Sequence, residues 1–379
     1  MAEAPDRAGW SQAGSRRILI VSASMGSGHD TVAGELARRA RERGHEARTV
    51  DVLSLLPHGV GSGLRRGYGA SVRRFPWVYA LVYRALLRRG PGRRPSGVPL
   101  ARLAGDRLTD LVDRTRTDVV VSVFHLGALL TGDLRSRGLL RVPSVVLLVD
   151  FAVHRQWLHP GNDRYLCLTD ECAGVVRQEI ATAAEATGPV VAPEFFAPAP
   201  TAAAWWTRRF EHLAPGRPPV LLSAGAWGAA SRLPSTVRLL ASHGFLPVAL
   251  CGRNERLRRG LRGIPGTVAL GWVDDMPGLM HAADALVDNA AGQTAVQALA
   301  VGLPVVGYRP LPGHGAEGVR RMAALGLSDL AADTPGLLGA LGRLTAEGPD
   351  RSRRVAHGRA LFRADALARL VELLDTPDT

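Results

Sequence analysis

Apolar residues in this chain fall into short unbroken runs separated by segments with helical spacing. Residues 17–21, 118–123 and 144–149 read as buried strands. Between the first two, Val32, Leu36 and Ala40 recur at i and i+4 and predict a helix over 31–43. This alternation argues for a parallel sheet with crossover helices. It breaks at a polar, proline-containing stretch over 205–219 and restarts with strand-like runs at 220–223, 246–250, 268–270, 285–287 and 304–308. A second wound domain is therefore expected, joined to the first near 195–207, where Pro193, Pro198 and Pro200 suit a semi-rigid connector. The expected organisation is a loose N-terminus over 1–15, a first domain over 16–198 and a second over 199–374. Two such α/β halves facing across a cleft place a ligand at the carboxyl ends of both sheets.

Composition narrows the class. The chain has 379 residues, 46% hydrophobic and 21% charged, which is too long for one ordinary core and typical of globular protein. No run approaches the roughly 18 apolar residues of a spanning helix, and no secretion signal stands at the start, so an intracellular location is expected. Cys167, Cys172 and Cys251 follow no metal or redox spacing. The formal net charge is +13, and all 47 basic residues are arginines. Permanently charged, planar guanidinium groups favour phosphate-bearing partners.

Several segments after strand-like runs carry candidate chemistry. Ser24-Met25-Gly26-Ser27-Gly28-His29 is a tight turn that opens a helix, whose free amides suit an anion, with His29 placed to act as a general base or to hold an acceptor hydroxyl. The block 149–160 gathers Asp150, Phe151, His154, Trp157 and His159 past a buried strand, and His125 follows another strand toward the same rim. Asp150, His154 and His159 could ligate a metal, but their spacing fits no zinc signature, and no metal or cofactor is expected. In the second half, Gly225 and Gly228 belong to another turn after a strand, and Arg253 and Asn254 end the next strand. The segment from Asp288 through Asn289, Gly292, Gln293, Thr294 and Gln297 opens a further helix able to hold a diphosphate at its amino end.

Taken in order, these segments, with Gly271-Trp272-Val273 and Met276-Pro277, resemble a glycosyltransferase family. It contains monogalactosyldiacylglycerol synthase and the processive diacylglycerol glucosyltransferases, and more distantly the N-acetylglucosaminyltransferase that forms lipid II. The resemblance extends over about 17–326. It implies a GT-B fold and inverting, metal-independent transfer from a UDP-sugar to a lipid hydroxyl, with the acceptor held by the first domain and the donor by the second. Carried onto this chain, it implies catalytic roles for His29, Asp150 and His154, and an acceptor side formed by Gly28, His125, Phe151, Trp157 and His159. The implied donor side comprises Gly225, Gly228, Arg253, Asn254, Gly271, Trp272, Val273, Met276, Asn289, Gly292, Gln293, Thr294 and Gln297. Three departures touch donor recognition. Gln297 replaces the family's ribose-binding glutamate, Ala290-Ala291-Gly292 replaces Pro-Gly-Gly, and His314-Gly315 stands where Gln-Glu follows Pro312-Gly313.

Between Val52 and Gly105 there is no acidic residue, while ten arginines occur there among aromatic and aliphatic side chains. Such a mixture suits an anionic membrane surface, with Arg73, Arg74, Trp77, Tyr79, Arg84 and Arg88 as contacts, and it lacks a nucleic-acid-binding motif. The expected location is cytoplasmic, at the inner face of the cell membrane. Rival functions are a glycosyltransferase of secondary metabolism acting on a soluble or phosphoglycolipid acceptor, a UDP-sugar epimerase, and a non-catalytic nucleotide-sugar-binding membrane protein.

Overall fold

Each half of the chain winds about a six-stranded, all-parallel sheet in the computed structural model. It describes residues 14–74, 77, 81, 83–84, 97–197, 199–225, 232–362 and 364–375, the side chains of 72–74 and 374–375 excepted. The first half runs β1 (Arg17–Ser22), α1 (Ser27–Glu42), β2 (Glu46–Asp51), α2 (Val52–Leu55), α3 (Val60–Arg74), α4 (Val98–Arg102), α5 (Gly105–Arg114), β3 (Val119–Ser122), α6 (His125–Ser136), β4 (Ser144–Leu148), β5 (Arg164–Cys167), α7 (Asp170–Ile180) and β6 (Ala184–Ala186). The second runs α8 (Pro200–Leu213), β7 (Pro219–Ser223), α9 (Leu233–Ser242), β8 (Leu246–Leu250), α10 (Glu255–Arg262), β9 (Val268–Leu270), α11 (Met276–His281), β10 (Ala285–Asp288), α12 (Gln293–Val301), β11 (Val305–Tyr308), α13 (His314–Ala324), β12 (Asp329–Ala331), α14 (Thr334–Thr345), α15 (Pro349–Arg359) and α16 (Ala366–Asp375).

The sheet orders are β2-β1-β3-β4-β5-β6 and β12-β11-β10-β7-β8-β9. Central strands are buried along their whole length, β3 and β4 at every position. That is why they read as continuous apolar runs. The helices cover both faces of each sheet. On α1, Val32, Ala33, Leu36, Ala37 and Ala40 turn inward and pack with Ile18, Ile20, Val119 and Val121. Helix α12 has little polar surface to offer and is buried over most of its length. It stops where Gly302 adopts φ +85°, a left-handed end that glycine takes without strain.

The expected two-domain α/β architecture is present, with one difference at its boundary. Residues 366–375, expected in the second domain, form α16 and return to the first. Ala366, Leu367, Leu370 and Val371 join the β1 and α1 core, and Arg43 and Glu185 pair with Asp365 and Arg369. The apolar stripe on α16 is indifferent to chain order and buries itself where α1 leaves a face open. Apolar contact also crosses between the domains directly, since Phe151, Leu168 and Val191 share a core with Leu279, Ala295 and Leu299.

The returning segment has little slack where it meets the first domain. Gly188 lies at φ +71°, and a Cβ there would stand 2.2 Å from the Leu361 carbonyl oxygen. Gly138 has φ +69° with nothing within 4 Å of such a Cβ. Gly138→Ala should therefore cost only the left-handed strain, about 1–2 kcal/mol. Gly188→Ala should cost about 1–3 kcal/mol more from the clash. Equal urea midpoints for the two variants would show that the crossing is loose.

Candidate active site

In each sheet the chain leaves the central strand in opposite directions. β1 has β2 on one side and β3 on the other, and β7 has β8 and β10. A crevice forms at the carboxyl end of such a strand. The two crevices open onto one another as two adjoining cavities. One, of about 650 Å³, is lined from the first domain by Gly28, His29, Tyr68, His125, Asp150 and His154, and from the second by Gly292 and His314. The other, of about 520 Å³, lies mostly in the second domain, against Gly271, Trp272, Val273, Met276 and Gln297. Ser27, Ser223, Gly225, Gln293 and Thr294 line both.

Two helices begin at that junction. Gly26 caps α1 and Gly292 caps α12, each in extended conformation and neither with a side-chain hydrogen bond to the first turn. The starts nearly touch: a Cβ on Gly28 would lie 3.4 Å from Gln293 Cβ, and Gln293 Nε2 donates to the Val190 carbonyl at 3.1 Å. First-turn amides have no partner within their own helix, so two positive helix ends converge where the cavities meet. The described residues lining the smaller cavity include no arginine but several hydroxyls, Ser27, Thr31, Ser223 and Thr294. An anion held here rests on backbone amides and hydroxyls. The turn before α12 is shaped from below by Asp288, which accepts from the amides of Ala290 at 2.9 Å and Ala291 at 2.6 Å. Burial raises the Asp288 carboxyl, and these amides only partly offset it.

On the other side of the junction stands a cluster of imidazoles about one carboxylate. His29 Nδ1 lies 2.9 Å from the Val123 carbonyl, so the neutral ring donates there and leaves Nε2 as a proton acceptor. Burial lowers its pKa, with the Asp150 charge opposing. His125 is pushed down to about 3, chiefly by burial and then by His29. His154 is pushed well below the ordinary range by burial and by its neighbours His125 and His314. Asp150 accepts from Trp157 Nε1 at 2.7 Å and lies 3.2 Å from His314 Nε2 and 3.9 Å from His154 Nε2. Burial alone would raise the Asp150 carboxyl, but the charge and hydrogen bond of His314 hold it below the ordinary carboxylate range. His314 is raised in turn, Asp150 outweighing burial. A hydrogen-bonded pair, Asp150 and His314, thus joins the two domains inside the cavity.

The structure brings together most of the sequence-derived candidates and places others elsewhere. Phe151 is buried in the apolar contact between domains, and Trp157 lies wholly inside, reaching the cavity through Asp150 and through its ring contacts with His29, His125 and His154. His159 is not a cavity residue. Its ring packs against the backbone of Gly132, its Nδ1 accepts from the Gly161 amide, and its own backbone is bonded to Tyr165. The possible metal set with Asp150 and His154 is therefore not assembled by His159. Asn254 caps α10 through the Leu257 amide, Arg253 lies over the Trp272 ring at 4.9 Å, and Asn289 supports the turn by accepting from Leu311. None of these three lines either cavity. Gly228, Tyr79 and Arg88 lie outside the described residues, as do the side chains of Arg73 and Arg74. Trp77 is 67% exposed, and Arg84 is exposed as well. Sequence reasoning missed His314, Tyr68 and Tyr83. Tyr83 bonds the Glu317 carboxylate of α13. The one available signal was the unusual His314-Gly315 pair.

The sequence and the fold each have relatives. The family model for monogalactosyldiacylglycerol (MGDG) synthase matches residues 29–191. A processive diacylglycerol beta-glucosyltransferase of Bacillus pumilus is 25% identical over 312 residues, covering 79% of this chain and 79% of that protein. Among solved structures, the calicheamicin glycosyltransferase CalG4 superposes with a TM-score of 0.61 at 16% identity, covering 96% of this chain and 98% of its own. MurG of Acinetobacter baumannii does so with a TM-score of 0.58 at 14% identity, covering 95% and 99%. The resemblance and the GT-B fold expected from the residues are both met.

The Asp150–His314 pair makes stability depend on pH. The His314 contribution is complete below its unfolded pKa, about 6.5, and fades as pH rises through the raised folded value. The Asp150 contribution is complete above about 3.9 and fades as pH falls through the lowered folded value. His314→Gln should therefore lose most stability between about pH 4 and 6.5, about 2 kcal/mol for a charged hydrogen bond. The deficit should shrink at alkaline pH. A deficit independent of pH would assign His314 to packing alone. His125 and His154 do not cancel fully in the difference, because the charge of His314 also lowers both.

Proposed function

Starting from a hexosyltransferase of GT-B architecture related to the diacylglycerol glucosyltransferases, we propose that the chain moves a sugar from a UDP-sugar to the hydroxyl of a membrane lipid such as diacylglycerol. The transfer inverts the anomeric centre and uses no metal. The observation that carries this reading is the meeting of two cavities at two uncapped helix starts, beside a neutral imidazole.

The smaller cavity takes the nucleotide, with the base near Gly271 to Val273 and the ribose near Gln297. The diphosphate lies at the start of α12, where amides and the hydroxyl of Thr294 offset the charge that grows on it as the sugar departs. The lipid hydroxyl enters by the larger cavity and gives its proton to His29 Nε2. Its oxygen then bonds the anomeric carbon as the bond from that carbon to the diphosphate oxygen breaks, and UDP leaves. Acceptor and leaving group lie on opposite sides of the reacting carbon, which gives inversion. Asp150 stabilises the imidazolium formed at His29, since its charge already opposes the effect of burial there. Gln297 can bond one ribose hydroxyl but supplies no negative charge, so affinity for the nucleotide leans on the diphosphate.

The test is UDP release from a panel of UDP-sugars with diacylglycerol vesicles. His29→Ala should lower kcat by on the order of 10² to 10⁴-fold with UDP affinity almost unchanged. A comparable loss of UDP affinity would make His29 a donor ligand, and no release with any donor would end the reading. Activity removed by a chelator and restored by Mg²⁺ would overturn metal independence.

The membrane contact is assigned to the basic, aromatic segment over 65–94. Trp77 and Leu81 present 67% and 60% of their surface to solvent within it. Among the described residues no helix is long and apolar enough to cross a membrane. Replacing both by serine should weaken sedimentation with anionic vesicles on the order of 10-fold or more. Unchanged sedimentation would move the contact elsewhere.

A further inference from the structure

The cavity holds a ligand set that glycosyl transfer does not require. Asp150, His154 and His314 each place a donor atom within 4.8 Å of the others. Tetrahedral bonds of about 2.0–2.1 Å separate ligand atoms by roughly 3.3 Å. Asp150 Oδ1 and His314 Nε2, at 3.2 Å, already have that spacing, and Asp150 Oδ2 and His154 Nε2, at 3.9 Å, nearly do. The set is withdrawn from bulk water, His154 being 3% exposed. Trp157 Nε1, 2.7 Å from Asp150 Oδ2, fixes the carboxylate in the way that outer-shell donors orient metal ligands.

We propose that Asp150, His154 and His314 bind one zinc-type divalent transition-metal ion, which inhibits the enzyme by tying the two domains together across the cleft. Two imidazoles and one carboxylate select Zn²⁺ and its neighbours over Mg²⁺ and Ca²⁺, which prefer all-oxygen sites. Three protein ligands leave a fourth position for water from the cavity. Asp150 and His154 follow β4 in the first domain, and His314 begins α13 in the second, so the ion bridges them. It occupies the carboxylate on which the charged form of His29 depends and fills space that the acceptor hydroxyl needs. The proposal goes beyond the transfer reaction, in which no step uses a metal.

Its test is calorimetric titration of metal-stripped protein with Zn²⁺, without donor or lipid, so the outcome is independent of the transfer reading. One site per chain is expected, with no heat from Mg²⁺, and His154→Ala and His314→Ala should each weaken binding by at least about 100-fold. Crystals soaked in Zn²⁺ should show one anomalous peak between the three side chains, which keeps the test valid if a variant folds poorly. Zn²⁺ should also raise the thermal midpoint of the unsubstituted protein. Absence of binding, affinity unchanged in both variants, or a peak on other residues would overturn the proposal.

Discussion

An α-helix cannot satisfy the amides of its own first turn, and this chain leaves two such ends unfilled at one place. Glycine stands at the cap of both α1 and α12, where serine or aspartate would have supplied an oxygen. Some other helices of the chain are capped by side chains. Thr169 accepts from Cys172, Asn254 from Leu257, Asp275 from Gly278 and Asp333 from Gly336. Sheet topology places both starts at the cleft, since β1 and β10 each flank the point where the strand order of their sheet reverses. The position of the proposed anion site therefore follows the winding of the chain, and neither glycine supplies a cap to fill it.

The acid-base side follows a different constraint. A carboxylate drawn out of water must find cations or donors, and Asp150 finds the indole of its own loop and an imidazole of the other domain. The same charge supports protonation of His29, while His125 and His154 stay neutral through burial and mutual repulsion. One charge thus links proton transfer to the approach of the domains. Separation of the domains would leave Asp150 without His314, whose charge and hydrogen bond hold its carboxyl down.

How much of this was legible in the sequence depends on what each feature buries. Most strands covered on both faces announced themselves, and β8 fell on the expected residues, as did the edge strand β9. The inner strand β5 was missed, its four residues opening on Arg164, and so were β2, β6 and β12, edge strands of which Glu46–Asp51 buries one residue in several and carries no apolar run. The turns around His29 and Gly292 were legible because their chemistry is local. His314 was not, since its meaning comes from Asp150, far away in the chain and in the other sheet. The loop over 149–160 was read as a cluster with one purpose. In the fold it divides, with Asp150 and His154 turned to the cavity and His159 used to seat the loop on α6 and Tyr165.

The departures in the donor turn have a structural counterpart. Ala291 takes φ +52°, a conformation that costs an alanine about 1–2 kcal/mol and a glycine nothing. It is held there by the Asp288 carboxylate and by burial of its methyl group. Room for that methyl comes from α13, where a Cβ on Gly318 would lie 3.1 Å from it and one on Gly315 would lie 3.2 Å from the Asn289 carbonyl. The glycines on one side of α13 thus brace the turn before α12. On its other side His314, Glu317 and Arg321 reach Asp150, Tyr83 and Glu171 of the first domain. A single helix therefore touches the anion cradle and the opposing domain at once. A shift of the domains that moved α13 would move the turn before α12 with it, so the proposed donor grip is coupled to the contact between the domains.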